Sequence, residues 1–203
     1  MSIRRSTLWL SLAALVAGLL AWGVWRWYEG RYPTWKEEVR LSDGRVILIK
    51  QKHEYYDNYG TAQSWLTFSL PEMGGERTWH SYLKPMRVDV QDGKVYVFGR
   101  PRGPREVSHY RYPKYLIVAF VWQGNDFVRV PFIAVPAALR SEENVLSCVD
   151  FAQRRQITVE WKSENWCPPA GDRGQLVRQI SLAAYEEMAL SYARLDGANP
   201  VSE

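Results

Sequence analysis

Residues 35–49 read WKEEVRLSDGRVILI and contain two short apolar-alternating runs joined by a tight turn. Val39 and Leu41 alternate with polar side chains before Ser42-Asp43-Gly44, and the run Val46-Ile47-Leu48-Ile49 follows. An Asp-Gly pair between two such runs favours a β-hairpin, because the turn needs residues that tolerate positive φ. This stretch therefore predicts antiparallel strands in the chain that follows residue 35.

The same pattern recurs further along the chain. Residues 87–98 read RVDVQDGKVYVF, a second hairpin around Asp92-Gly93, and residues 115–130 predict a third around Gly124. Residues 65–70 form another β run, which ends at a Pro. No helix of 10–15 residues separates these strands, as a βαβ fold would require. We therefore predict a mainly β fold of antiparallel hairpins or a meander.

The C-terminal third has a different pattern. Residues 136–139 predict a short helix, and residues 156–161 predict a last strand. From Leu176 to Leu195 the apolar residues recur every three or four positions, which predicts an amphipathic helix of about six turns with Asp172 as its N-cap. We expect this helix to pack on the sheet; docking to a partner is the alternative.

An apolar segment lies near the N-terminus. Residues 8–25 contain no charge, and Arg4 and Arg5 precede them. A helix of this length spans about 27 Å, close to the hydrocarbon thickness of a bilayer. A cleaved signal peptide and a core helix are the alternatives, but large aromatic residues at the distal end favour an uncleaved anchor with these side chains at the membrane–water interface. The interface residues are Trp22, Trp25, Trp27 and Tyr28.

These features predict a single-pass membrane protein. A short N-terminal tail usually stays in the cytoplasm, so the C-terminal domain is expected on the opposite side of the membrane. Cys148 and Cys167 are the only two cysteines, and an oxidising compartment would allow them to form a disulfide; two separate buried thiols are the alternative. The predicted organisation is a cytoplasmic tail at 1–7, a transmembrane anchor at 8–26, a juxtamembrane linker at 27–34, one β-rich domain at 35–196 and a disordered tail at 197–203.

Composition excludes two classes of protein. The 203 residues are 46% hydrophobic and 14% aromatic, so the chain is not disordered throughout. Of the 26 basic residues, Arg4, Arg5 and Arg26 precede the first acidic residue, which leaves 23 basic against 22 acidic residues after position 26. Nucleic-acid binding needs a concentrated basic face, and this near balance argues against it.

The sequence carries no closely spaced set of metal ligands. His53, His80 and His109 are isolated from one another and from the cysteines, whereas zinc sites usually contain closely spaced ligand pairs. Nucleophile elbows and phosphate-binding loops are also absent. We therefore predict no cofactor, no metal and no catalytic residue. A hydrolase built on two distant carboxylates stays an alternative.

The first candidate binding segment is residues 99–115, GRPRGPREVSHYRYPKY, with a local charge of +4. Its prolines and glycines predict a long loop. Such a loop would suit anionic headgroups, an acidic glycan or an acidic protein. The alternative is a solvated connector whose tyrosines pack locally. The candidate residues are Arg100, Arg102, Arg105, Tyr110, Arg111, Tyr112 and Lys114.

The second candidate segment is residues 53–65, HEYYDNYGTAQSW. Aromatic rings beside amide and carboxylate groups suit a sugar or a protein interface. Aromatic residues that fill a core at strand ends are the alternative. The candidate residues are Tyr55, Tyr56, Tyr59 and Trp65.

The chain also resembles a known group of sequences. The stretch 35–47, with Trp35, Glu37, Val39, Leu41 and Asp43-Gly44, is similar to a Trp-x-Glu-x-Val-x-Leu-x-Asp-Gly motif of small, uncharacterised proteobacterial envelope proteins. Residues 115–117 and 127–131 resemble a later hairpin of that group. The resemblance covers about half of the chain and implies an envelope location without an activity. With the predicted topology, it implies a single-pass bacterial inner-membrane protein whose C-terminal domain lies in the periplasm.

Together these observations predict a non-enzymatic, membrane-anchored periplasmic domain that binds a protein, for example as an immunity-type inhibitor or an accessory protein of an envelope complex. A module that binds envelope glycan or peptidoglycan is the first alternative, and an unrecognised hydrolase is the second.

Overall fold

Nine strands and four α-helices make up the part of the chain that the structure describes. The structure is a computed structural model that describes residues 3–55, 61–146, 156–164, 166 and 179–198. Three 3₁₀ turns, Pro71–Met73, Phe132–Ala134 and Ala137–Leu139, lie between these elements. The helices are α1 (Ile3–Arg31), α2 (Pro104–His109), α3 (Val159–Glu164) and α4 (Leu182–Leu195). The strands are β1 (Thr34–Arg40), β2 (Val46–Tyr55), β3 (Thr61–Leu70), β4 (Gly75–Ser81), β5 (Lys84–Gln91), β6 (Lys94–Arg100), β7 (Val118–Gln123), β8 (Asp126–Val130) and β9 (Gln156–Ile157).

The strands form two sheets. The first sheet has the order β4-β3-β2-β1-β9, and the second has the order β5-β6-β7-β8. Every pairing is antiparallel except the short parallel pair of β1 and β9. The three predicted hairpins are present as β1–β2, β5–β6 and β7–β8. At the β5–β6 turn Asp92 and Gly93 have φ of 52° and 70°, as a type I′ turn requires. The prediction of a mainly β fold is confirmed.

The two sheets pack face to face around a shared apolar core. Alternate residues of β1 to β4 point inward, as period-2 alternation in a half-buried strand dictates. Valines on β5 and β6 meet them from the second sheet. The cluster includes Val39, Ile49, Leu66, Phe68 and Trp79 from the first sheet and Val88, Val90, Val95 and Val97 from the second.

The outer face of the second sheet is also covered. Met86 and Phe98 on this face pack against Phe132 and Leu139 of the 3₁₀ turns, and Tyr185 of α4 packs against the same cluster. The C-terminal helix therefore packs on a sheet, as predicted. β5 and β6 of the second sheet are therefore buried on both faces, whereas β8 at its edge is mostly exposed.

Helix α4 is shorter than the sequence pattern predicted. It starts at Leu182, where Ser181 Oγ accepts a hydrogen bond from Ala184 N–H at 3.4 Å. Gln179 forms a β-bridge with Glu142, so the residues just before Ser181 are not helical. A serine hydroxyl satisfies a first-turn N–H as an N-cap does, which fixes the helix start there. The predicted length of six turns is therefore wrong. The predicted cap, Asp172, lies outside the described residues.

Two further segments differ from the prediction. Residues 156–161 were expected to form one strand, but only Gln156–Ile157 is extended and α3 begins at Val159. Thr158 Oγ1 accepts a hydrogen bond from Trp161 N–H at 3.2 Å, and this capping contact favours a helix over a longer strand. Residues 99–115 were expected to be a loop, but they include α2. Pro104 occupies the first turn of α2, where its missing N–H costs nothing.

Helix α1 has the properties of a membrane span. Its segment Trp9–Arg31 is 23 residues long, apolar enough to cross a membrane, and not buried against the rest of the protein. At about 1.5 Å per residue it measures about 35 Å, slightly more than the hydrocarbon core. The helix continues through residues 27–31, which were predicted to be linker. The interface aromatics lie on its exposed surface: Trp22, Trp25, Trp27 and Tyr28.

Glu37 and Lys162 form an ion pair inside the domain. Glu37 of β1 is fully buried, and its Oε1 lies 3.3 Å from Lys162 Nζ of α3. Leu146 N–H donates to the same carboxylate at 3.0 Å, and Lys162 Nζ donates to Asn144 O at 2.7 Å. Burial raises the pKa of Glu37, whereas Lys162 and the Leu146 N–H oppose that rise. The pair fastens α3 and the segment 144–146 to the first sheet.

We expect Lys162→Met to lower the free energy of unfolding by about 3–5 kcal/mol, because it leaves the Glu37 carboxylate buried without its counter-ion. The double variant Glu37→Gln/Lys162→Met should recover at least half of that loss, since it removes both charges. Urea denaturation of the wild type, Lys162→Met, Glu37→Gln and the double variant measures the difference. A double variant as unstable as the sum of the two single variants would contradict this assignment.

Candidate functional site

Three basic side chains gather at one end of the second sheet. Lys84 begins β5 and Arg100 ends β6, and the two residues are paired in register. Like charges at paired positions destabilise a sheet. Arg102 follows two residues later and is exposed, whereas Lys84 and Arg100 are half-buried. None of the three forms an ion pair within 4.0 Å with a residue that the structure describes. We call Lys84, Arg100 and Arg102 the cationic cluster.

One carboxylate, Glu143, lies within electrostatic reach of this cluster. Burial raises the pKa of Glu143 to about 7, while the charges of Lys84 and Arg100 counteract the rise. Burial, Arg100 and Arg102 lower the pKa of Lys84 to about 8, and Glu143 acts in the opposite direction. Both groups are therefore set to change charge near neutral pH. Three cations facing one carboxylate leave the site positive.

Tyrosines surround the cationic cluster. The guanidinium carbon of Arg100 lies 5.9 Å from the centre of the Tyr185 ring on α4, within the range of a cation–π contact. Burial raises the pKa of the Tyr185 hydroxyl. Tyr55 at the end of β2 and Tyr192 of α4 both interact electrostatically with Arg102. The site thus combines cations from the second sheet and the segment after β6 with aromatic rings from β2 and α4.

A buried, neutral histidine lies next to the cluster. Burial, together with the positive charges of Lys84 and Arg102, lowers the pKa of His53 to about 3. Gln51 Nε2 donates to Leu146 O at 2.8 Å, so its Oε1 is the acceptor for His53 Nε2–H at 2.8 Å. His53 Nδ1, which carries no proton in that tautomer, accepts from Thr61 Oγ1 at 3.2 Å. Both ring nitrogens are occupied, which suits a structural role for His53.

The cross-strand partner of His53 is Ser64 of β3. Ser64 is fully buried, and its hydroxyl has no hydrogen-bond partner among the described residues. A buried unpaired hydroxyl costs stability. The interior beside the cluster therefore contains polar side chains, one of which lacks a hydrogen bond to the described residues.

The fold brings together only some of the predicted site residues. Tyr55, Arg100 and Arg102 come from both candidate segments and meet at the cationic cluster. Tyr56 and Tyr59 lie outside the described residues, as do Cys148 and Cys167 of the candidate disulfide.

The tyrosines of residues 99–115 pack on the protein itself. Tyr110 is buried, and its hydroxyl accepts a hydrogen bond from Tyr82 N–H at 3.2 Å. Tyr112 donates to Asp196 Oδ2 at 2.9 Å. This arrangement matches the alternative of local packing. Residues 104–109 form α2, so the segment is not one continuous loop.

The remaining predicted residues are dispersed. Lys114 Nζ lies 3.5 Å from Glu186 Oε1, and Arg105 and Arg111 are exposed around α2. Trp65 lies on the outer face of the first sheet, where it stacks on His80 at 4.8 Å between ring centres. These side chains do not contribute to the cationic cluster.

Sequence reasoning missed Lys84, Glu143 and Tyr185. Lys84 has no charged neighbour within two residues, Glu143 is the second of two adjacent glutamates, and Tyr185 belongs to the helical pattern of α4. No local spacing links them. Strand pairing and helix packing bring them together.

Comparisons with protein-family models, with curated proteins and with solved structures find no match for this chain. The predicted relationship to a group of envelope proteins stays a prediction.

The cluster predicts an unusual dependence of stability on pH. The folded-state pKa of Lys84, about 8, lies below its ordinary 10.5, so the folded state binds this proton more weakly and stability should rise as pH increases from about 8 to 10.5. The pKa of Glu143 is raised from 4.5 to about 7, so its contribution should fall as pH rises through that interval. His53, with a folded pKa of about 3 against an ordinary 6.5, contributes in the opposite direction over most of that interval, so the clearest feature expected in melting temperatures measured across pH is the rise above pH 8.

Lys84→Met should remove the alkaline rise, because no proton is then released at that position. Lys94→Met is the matched control, since Lys94 is exposed at the opposite end of β6. A Lys84→Met profile that still rises above pH 8 as in the wild type would show that Lys84 does not titrate as assigned.

Proposed function

We propose that this chain is a non-enzymatic, membrane-anchored binding domain whose cationic cluster holds an acidic segment of a protein partner. The observation that carries the proposal is the absence of ion pairs at Lys84, Arg100 and Arg102 within the described residues. Half-buried cations that face each other raise the energy of the free protein. A bound carboxylate would relieve that repulsion and form charge-assisted hydrogen bonds.

The three cations differ in their exposure to solvent, and this order supports access of a ligand from solvent. Arg102 is exposed, whereas Arg100 and Lys84 are half-buried behind it. An incoming carboxylate would meet the guanidinium of Arg102 first and then reach Arg100. Arginine presents two parallel N–H groups to a carboxylate, which gives orientation as well as affinity.

The aromatic surroundings support a protein as the partner. Tyr55, Tyr185 and Tyr192 adjoin the cations, and tyrosine and arginine are enriched at the energetic centres of protein interfaces. Addition of a partner strand is disfavoured along the middle of β5. There the side chain of Asn144 already bonds Val88 N–H at 3.0 Å and Val88 O at 2.8 Å. Recognition through charge and aromatic contact is therefore the better supported mode.

The first test is crosslinking in cells, followed by affinity capture of the full-length protein and mass spectrometry. Arg102→Glu should reduce recovery of an acidic protein partner by about tenfold or more, because it places a carboxylate where the partner's carboxylate binds. Lys94→Glu makes the same charge change at an exposed site away from the cluster and should have no effect.

If both variants recover equally little of the partner, the effect comes from the change in net charge. The assignment of partner binding to the cationic cluster would then be wrong. Recovery by Arg102→Glu at the wild-type level would also contradict that assignment. Recovery of a glycan in place of a protein would support the alternative of an envelope glycan-binding module.

We further propose that α1 is an uncleaved inner-membrane anchor with its N-terminus in the cytoplasm and the β domain in the periplasm. Arg4 and Arg5 flank the apolar run on its N-terminal side, and long C-terminal domains translocate largely regardless of the charges that follow the span. Alkaline phosphatase fused after residue 203 should be active, whereas β-galactosidase at the same position should be inactive. The reverse pattern would place the domain in the cytoplasm.

A further inference from the structure

The end of the anchor is fastened directly to the first sheet. Arg31 Nη2 lies 2.9 Å from Glu54 Oε1, and the hydroxyl of Tyr32 donates to the same oxygen at 3.3 Å. The backbone continues this connection, because His53 N–H donates to Pro33 O at 3.0 Å. Only residues 32 and 33 separate α1 from β1. The sheet therefore begins at the point where the apolar helix ends.

A cation lies between two aromatic rings beside this junction. Lys52 Nζ is 5.0 Å from the centre of the Tyr32 ring and 5.1 Å from the centre of the Trp65 ring. The Trp65 ring stacks on His80 with an interplanar angle of 4°. Glu54 and Lys52 are two residues apart on β2, so they share the outer face of the first sheet. The aromatic and basic groups thus extend from the helix end onto this face.

Two further lysines continue the same surface. Lys36 of β1 and Lys50 of β2 are exposed and paired in register. Neither they nor Lys52 form an ion pair with a described residue. Nearby carboxylates are engaged elsewhere: Glu54 pairs with Arg31, and Glu38 accepts from Val159 N–H at 3.2 Å. We call Tyr32, Lys36, Lys50, Lys52 and Trp65 the juxtamembrane patch.

We propose that the juxtamembrane patch contacts the phosphates of anionic phospholipids in the bilayer that α1 enters. This inference rests on the proposed membrane anchoring, but not on the partner-binding role of the cationic cluster. At about 35 Å, the apolar segment exceeds the hydrocarbon core by about 5 Å, which places Arg31 at headgroup depth. Lys36 follows five residues later, at most about 17 Å further along extended chain.

The composition of the patch fits that location. Tyrosine and tryptophan rings accumulate at membrane–water interfaces because they combine an apolar body with a polar edge. Each lysine close to an anionic surface gains attraction that falls off within a Debye length. Contact with phosphates would also offset the repulsion between the facing Lys36 and Lys50. The short connection at Tyr32 and Pro33 keeps the patch close to the bilayer.

The test uses the full-length protein in lipid nanodiscs and measures acetylation of individual lysines by mass spectrometry. One disc contains zwitterionic lipid alone, and the other contains about one third anionic phosphatidylglycerol. We expect Lys36, Lys50 and Lys52 to react on the order of fivefold more slowly in the anionic disc. Lys94, at the β5–β6 turn, is the internal control and should react equally in both.

High salt should remove the protection, because it screens exposed charges. The variant Lys36→Gln/Lys50→Gln should also weaken the lipid-dependent protection of Lys52, whereas Lys94→Gln should leave it intact. Equal reactivity of the three lysines in both discs would overturn the headgroup contact while leaving the anchor and the cationic cluster untouched. Failure of the chain to enter discs at all would overturn the anchor itself.

Discussion

The segment 144–146 is the connection on which the domain depends, because it bonds both sheets at once. The side chain of Asn144 donates to Val88 O of the second sheet at 2.8 Å and to Arg40 O of the first sheet at 3.1 Å. Leu146 is held on both sides of its backbone, by the carboxylate of Glu37 and by the amide of Gln51. Backbone groups buried between two sheets must find such partners, and here polar side chains provide them.

This connection also determines the electrostatics of the candidate site. Glu143 immediately precedes the segment, so the bonds of Asn144 hold it near Lys84 and Arg100. Without that carboxylate the cationic cluster would carry three positive charges that the described residues do not neutralise. Burial raises the pKa of Glu143 to about 7, which weakens its compensation of the cations near neutral pH. The described residues therefore leave the site with a net positive charge.

Local sequence predicts the hairpins well and the site poorly. Asp92-Gly93 determines its turn because both residues adopt positive φ, a property of the residues themselves. The start of α4 depends on Ser181, and apolar spacing alone placed that start too early. The cationic cluster is harder still to predict. Lys84 and Arg100 are neighbours only because β5 and β6 pair in one register, and Tyr185 reaches them only because α4 packs on the second sheet.

The end of β2 joins the anchor to the candidate site. Glu54 faces outward and binds Arg31 of α1. His53 lies on the inner side, where the charges of Lys84 and Arg102 help to lower its pKa. Successive side chains of β2 point to opposite faces of the sheet, so this strand links the outer surface at Arg31 with the inner surface at the cationic cluster. Because Arg31 at the end of α1 holds Glu54, the proposed membrane anchoring would place the neighbouring cluster close to the bilayer. An acidic partner that binds there would be recruited to the membrane surface, which is a geometry that a long flexible linker would not impose.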